Sequence, residues 1–168
     1  ERLTHNASAC NGNGVTFFDI KAKRAALRLK KITGRTLDGS QLEVRYCLRG
    51  SHEGNETNAS AWAVAASSLP KDGGALTTPI PIAAGGTVGI MIQGVKSTGS
   101  GVTTADTSKA CGEVINENGA MQLLVGKATD KRSAGDPLDH EGFNKSDRVR
   151  RVFVGTIHQS KGREYDYV

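Results

Sequence analysis

The sequence has little of what most catalytic or cofactor-binding domains are built from. Its 168 residues include three Cys, four Pro, four Phe, three Tyr and one Trp. Cys10, Cys47 and Cys111 show no C-x-x-C spacing, which argues against a zinc ribbon or a thioredoxin-like redox pair. An odd count leaves at least one thiol free. In an exported chain one bridge is expected, between Cys10 and Cys111, which both flank Gly/Asn-rich turns. Cys47, between Tyr46 and Leu48, reads as a small buried hydrophobe. No apolar run approaches the roughly 18 residues that mark a membrane span, so none is expected. H-E-x-x-H and G-x-S-x-G are absent, and His5, His52, His140 and His158 are scattered. No catalytic residue, metal site or cofactor is therefore expected. The densest group of potential ligands, Asp136, Asp139, His140 and Glu141, reads as a solvated turn. The chain opens on Glu1-Arg-Leu-Thr, with neither an initiator Met nor a signal peptide, and is expected to be a processed or excised part of a larger protein.

What the sequence does have is glycine and alternation. The 21 Gly follow no G-x-y period and demand many tight turns, as a chain of short strands does. Between the turns the apolar period is two. In Gln41-Leu-Glu-Val-Arg-Tyr-Cys-Leu48, Leu42, Val44, Tyr46 and Leu48 share one face, a segregation no helix achieves. Similar strands are predicted over 16–20, 27–32, 62–65, 79–82, 87–93, 120–126 and 151–158, with 79–82 on a sheet edge where proline loses no ladder bond. A helix over 21–29 competes less well than the strand pattern. Residues 96–108 and 129–146 read as loops. About eight strands of this kind predict an all-β, two-layer antiparallel sandwich of the jelly-roll type, a single domain over 1–168 with its core at about 11–158.

The net charge of +5 is carried by two basic clusters. One runs from Lys21 through Lys23, Arg24, Arg28, Lys30 and Lys31 to Arg35; the other comprises Lys145, Arg148, Arg150, Arg151, Lys161 and Arg163. They form either the solvated faces and guarded edges of strands or a stripe for phosphates or sulfated glycans. Stacking aromatics are almost missing, with only Phe153 among them, so nucleic acid is not the expected partner.

Three runs, in this order, are distinctive. They are Gly12-Asn-Gly followed by Phe18-Asp-Ile-Lys-Ala22; Val44-Arg-Tyr through Gly50-Ser-His-Glu-Gly-Asn-Glu-Thr-Asn-Ala-Ser-Ala-Trp62; and Arg151-Val-Phe-Val-Gly-Thr-Ile-His158. Together with Pro79-Ile-Pro-Ile and Ala83-Ala-Gly-Gly-Thr-Val-Gly89, they resemble an uncharacterised β-sandwich module of secreted and cell-surface proteins. That module occurs in exported multi-domain proteins with sorting or anchoring signals. The resemblance covers about residues 11–158, with Val154 and Gln159 where the module has Asn and Tyr. It implies a sandwich without enzymatic activity.

The residues of the middle run make sense on their own terms. Gly50 and Gly54 let the chain double back with positive φ, Ser51, His52 and Glu56 can bond turn backbone, and Trp62 is expected to plug the core as the next strand begins. The alternative is a polar or cation-binding surface of His52, Glu53 and Glu56 at a loop tip, although a calcium site would want more carboxylates. Asn6, Asn55, Asn58 and Asn144 each begin an N-x-[ST] sequon and are candidate glycosylation sites on loops. The tail from Gly155 to Tyr167 is similar to a motif of superfamily I helicases. No P-loop accompanies it, because Gly89-Ile-Met-Ile-Gln-Gly-Val-Lys-Ser97 has one residue too many before its lysine and lies on a strand.

These readings converge on a non-catalytic extracellular or cell-surface module for adhesion, glycan binding or assembly. Its partners would be other subunits or neighbouring modules, and glycans. The alternative is an intracellular polyanion- or nucleic-acid-binding domain that uses the basic clusters.

Overall fold

The computed structural model describes residues 1–6, 11–13, 15–34, 36, 39–95, 100–128 and 149–161. Its strands are β1 (Arg2–His5), β2 (Asn11–Asn13), β3 (Val15–Ala22), β4 (Leu27–Thr33), β5 (Leu42–Cys47), β6 (Trp62–Leu69) and β7 (Gly74–Ile82). They continue as β8 (Thr87–Gly94), β9 (Ser100–Asp106), β10 (Val114–Glu117), β11 (Met121–Leu124), β12 (Gly126–Ala128), β13 (Val149–Phe153) and β14 (Gly155–Lys161). A 3-10 turn at Ala59–Ala61 is the only helical element among the described residues, and no helix there is long and apolar enough to cross a membrane.

All strand pairings among the described residues are antiparallel and fall into two sheets, so the chain is an all-β sandwich, as the alternation predicts. The smaller sheet has the order β1-β14-β4-β7, with the proline-bearing β7 on its edge. The larger has ten strands, β2-β9-β13-β12-β3-β8-β5-β6, with β11 also lying along β3 and pairing with β10.

The strand count exceeds the expected eight for identifiable reasons. The stretch 151–158, expected as one strand, changes sheets at Val154: β13 belongs to the larger sheet and β14 to the smaller. Gly155 permits this crossing, since a Cβ there would sit 2.0 Å from the Thr33 carbonyl oxygen and 2.6 Å from the Phe153 ring. The stretch 120–126 likewise divides into β11 and β12, which pair in succession along β3. Within 96–108, expected as a loop, β9 pairs with β13 and β2, although its polar sequence carries no apolar alternation. The predicted loop 129–146, with Asp136, Asp139, His140 and Glu141, lies outside the described residues.

The main core lies between the sheets. Leu29, Ile32, Ile80 and Ile157 of the smaller sheet meet Phe18, Ile20, Val44, Ile90, Ile92 and Phe153 of the larger. Phe18 and Phe153 stack with ring centroids 4.7 Å apart. Each such side chain contributes about 1.5–3 kcal/mol by leaving water. A second cluster of Val15, Phe17, Cys47, Ala61, Trp62 and Met91 is separate from this core. It explains why β3 is buried on both faces, Val15 and Phe17 supplying one and Phe18, Ile20 and Ala22 the other. Cys47 is buried as expected, whereas Leu48 lies beyond the end of β5 and is 61% exposed.

Candidate functional site

The second cluster lies beneath the chain between β5 and β6, which returns across the larger sheet as a corner from Gly50 to Trp62. Period two on β3 puts Asp19 on the same face as Val15 and Phe17. Its cross-strand partner on β8 is Gly89. Because Gly89 has no side chain, the corner backbone lies directly on the sheet: a Cβ at Gly89 would be 2.5 Å from the His52 amide nitrogen. The Gly89 N–H donates to the Gly50 carbonyl at 2.6 Å. Gly50 and Gly54 adopt φ of +97° and +79°, the left-handed turns expected of them.

Asp19 fastens this corner. Its Oδ1 accepts from the His52 backbone N–H at 2.9 Å and from His52 Nδ1 at 2.7 Å, and its Oδ2 accepts from Ser51 Oγ at 2.6 Å. Burial by itself would raise the Asp19 pKa, but the hydrogen bonds it accepts from His52 and Ser51 outweigh it and hold the carboxyl below its usual range. Within the corner the Asn55 N–H donates to the His52 carbonyl, and Trp62 Nε1 donates to the Asn55 carbonyl at 2.8 Å. Phe17 stacks on His52 and meets Trp62 edge-on. Trp62 is thus buried in a hydrophobic core as β6 begins, as expected, and the core it plugs is the second cluster.

His52, Glu53 and Glu56 do not form an exposed loop tip. His52 is fully buried and Glu56 nearly so, because the corner folds inward onto Asp19 and onto β12. There Lys127, paired with Phe17, reaches Glu56 Oε1 at 3.0 Å and Glu53 Oε1 at 3.8 Å. Burial acts to raise the Glu56 pKa, but its own backbone N–H and Lys127 lower it further. Only Glu53 of the three is exposed.

Cys111 completes the cluster. Its thiol is free among the described residues, and Cys10, the partner anticipated for it, lies outside them. The Sγ donates to the Val125 carbonyl at 3.5 Å and stands 3.8 Å from His52 Nε2. Cys111, His52 and Asp19 thus follow the order nucleophile, base and orienting carboxylate. The electrostatics oppose that use. An activated cysteine has a depressed pKa, whereas burial and the hydrogen-bonded Glu53 carboxylate push the Cys111 thiol up to about 12.

Of the sequon asparagines, Asn6 is exposed. Asn55 is half-buried and spends its side-chain amide on the Ser51 carbonyl. Asn58 accepts from Ser60, the hydroxyl of its own sequon. Asn144 lies outside the described residues, as do Lys145, Arg148, Arg163 and all but the first seven residues of the helicase-like tail.

The other feature of chemical interest is the smaller sheet's outer face. The β4 side chains Leu27, Leu29 and Ile32 are buried, while Lys30 and Lys31 are exposed. The pairing register aligns Arg2, His158 and Lys31 across β1, β14 and β4. Partial burial, with Lys31, Arg2 and the N-terminal ammonium, lowers the His158 pKa. Thr4 and Thr156 hydroxyls bond each other at 2.9 Å beside this row. None of the four strands contains an Asp, a Glu or an aromatic residue. Elsewhere some basic residues pair with carboxylates, Lys23 with Glu117 and Arg45 with Glu43.

Sequence reasoning missed Asp19, Gly89 and Lys127 as members of the corner. A carboxylate within Phe17-Phe18-Asp19-Ile20 was the available signal, since a charge on a strand buried on both faces must be hydrogen-bonded. No family model matches the chain, and no curated protein or solved structure does so at a significant level.

Proposed function

We propose that this chain is a non-catalytic module of an extracellular or cell-surface protein, and that it holds acidic glycans against the outer face of its four-stranded sheet. The observation that carries the reading is the row Arg2, His158 and Lys31 in a sheet whose strands contain no carboxylate. Glu1, just before β1, bonds Gln159 at 3.1 Å, and a flat face whose strands carry cations and no carboxylate attracts an extended polyanion. The hydroxyls of Thr4, Thr156 and Ser160 on the same strands supply donors for sulfate or carboxylate oxygens. The lack of aromatics there disfavours nucleic acid, whose bases need stacking surfaces. Such a module would serve adhesion to a glycan-bearing surface or the building of an extracellular structure. The resemblance to a secreted β-sandwich module supports the extracellular setting, and the pushed-up Cys111 pKa supports the absence of catalysis.

Binding of a heparin-derived oligosaccharide and of duplex DNA, each measured across a range of NaCl concentrations, tests this. The expected result is salt-dependent heparin binding, with weaker affinity for DNA. DNA binding as tight as heparin binding, with a steep salt slope, would move the chain to the nucleic-acid class, and no binding to either would refute the reading.

A further inference from the structure

We propose that His52, Glu53 and Cys111 form a binding site for a divalent transition metal, with Zn2+ as the best-matched ion, and that Asp19 orients the histidine ligand. The three donor atoms come from residues 52, 53 and 111, so no sequence spacing announces them; the fold brings them within 4.8 Å of one another. Imidazole, thiolate and carboxylate together are the donor set of zinc, and three protein ligands leave a fourth position open. From ordinary Zn–N and Zn–S bond lengths in a tetrahedral site, the two donor atoms should be about 3.6 Å apart. His52 Nε2 and Cys111 Sγ are separated by 3.8 Å.

The surroundings of His52 give independent support. The ring is fully buried, and its Nδ1 donates to Asp19 Oδ1 at 2.7 Å. That bond places the lone pair of the neutral ring on Nε2, which faces Cys111. A carboxylate holding the far nitrogen is how ligating histidines are commonly fixed. The ring cannot turn away, because Phe17 stacks on it and Asp19 also holds the His52 backbone N–H. The site is accessible from solvent, since Glu53 is exposed and Cys111 half-buried.

Charge balance also fits. Zn2+ with one thiolate, one carboxylate and a neutral imidazole is neutral overall, and the thiol proton passes to the buffer on binding. Lys127 is the one nearby cation among the described residues that bears on Glu53, at 3.8 Å. Its shorter contact, 3.0 Å to Glu56, lets it remain with that residue while Glu53 turns to the metal.

The 168-residue chain under reducing conditions should bind one equivalent of Zn2+. Substitution with Co2+ should give a thiolate-to-cobalt charge-transfer band. Cys111→Ser should abolish that band and weaken Zn2+ binding by at least about 100-fold. Glu53→Gln should keep the band and weaken binding by about tenfold or more. Alkylation of the unsubstituted chain needs no variant: saturating Zn2+ should protect Cys111 selectively from iodoacetamide, as read by mass spectrometry. No Zn2+ uptake, a cobalt band that survives Cys111→Ser, or alkylation of Cys111 unaffected by Zn2+ would each overturn the site. All three readouts are independent of heparin binding, so the site and the glycan reading stand or fall separately.

Discussion

At the corner, charged groups are buried and matched: Asp19 is 2.7 Å from His52, and Glu56 is 3.0 Å from Lys127. On the four-stranded sheet, Arg2, Lys30 and Lys31 stand in solvent, and no strand of that sheet supplies a carboxylate. Both regions use ordinary polar residues on antiparallel strands. What differs is the cover. The corner chain removes one face of the larger sheet from water, so each charge there needs a partner for the fold to be stable. Nothing in the described chain covers the outer face of the smaller sheet, where water solvates the cations and no partner is needed for folding. Matched buried charge therefore indicates structure, and the exposed charge without carboxylates on its own strands is what the proposed glycan surface rests on.

The comparison breaks most sharply at Asp19. Asp19→Ala leaves the His52 amide, the His52 ring and the Ser51 hydroxyl without their acceptor and should destabilise the chain by about 3–5 kcal/mol in urea unfolding. Gly89→Ala drives a methyl group into the His52 backbone and should cost about 1–3 kcal/mol by the same measurement. On the other region, Arg2→Ser combined with Lys31→Ser should leave stability within about 0.5 kcal/mol. The same pair should lower the salt slope of heparin binding by about one for each charge removed.

The smallest effect is a pH dependence. His158 is harder to protonate in the folded chain than at its ordinary value of 6.5. The unfolded chain therefore binds more protons just below that value, so stability is full above it and declines as pH falls through it towards the depressed folded pKa. His5, lowered by burial, acts in the same direction. Heparin affinity should move the opposite way, strengthening as pH falls and the row gains a third cation. His158→Gln should flatten that pH dependence of binding.

The strands that border the main core were legible in the sequence because one face of each is covered. Leu42 and Val44 on β5 and Leu27 and Leu29 on β4 alternate as such strands must, and a register shift between Leu29 and Lys31 returns Ile32 to the buried face. Where both faces are covered, as on β3, alternation no longer distinguishes inside from outside, and Asp19 looked like one polar residue in an apolar run. The strands at the margin, β2 and β9, are polar and glycine-containing, so no periodicity marked them. The turn chemistry of Gly50 and Gly54 was readable, because positive φ has a residue signature. The direction in which the corner folds was not, because it depends on Gly89, some 35 residues or more away along the chain but directly beneath His52. The cluster of His52, Glu53 and Cys111 was hidden for the same reason.

The division between a matched corner and an unmatched sheet face is tested most directly by titrating a heparin-derived oligosaccharide into the triple variant Arg2→Ser, Lys30→Ser, Lys31→Ser. Its urea midpoint should equal that of the unsubstituted chain, and its affinity at low salt should fall by at least about tenfold. Unchanged affinity with unchanged stability would show that the glycan, if bound, sits elsewhere, and would contradict the account.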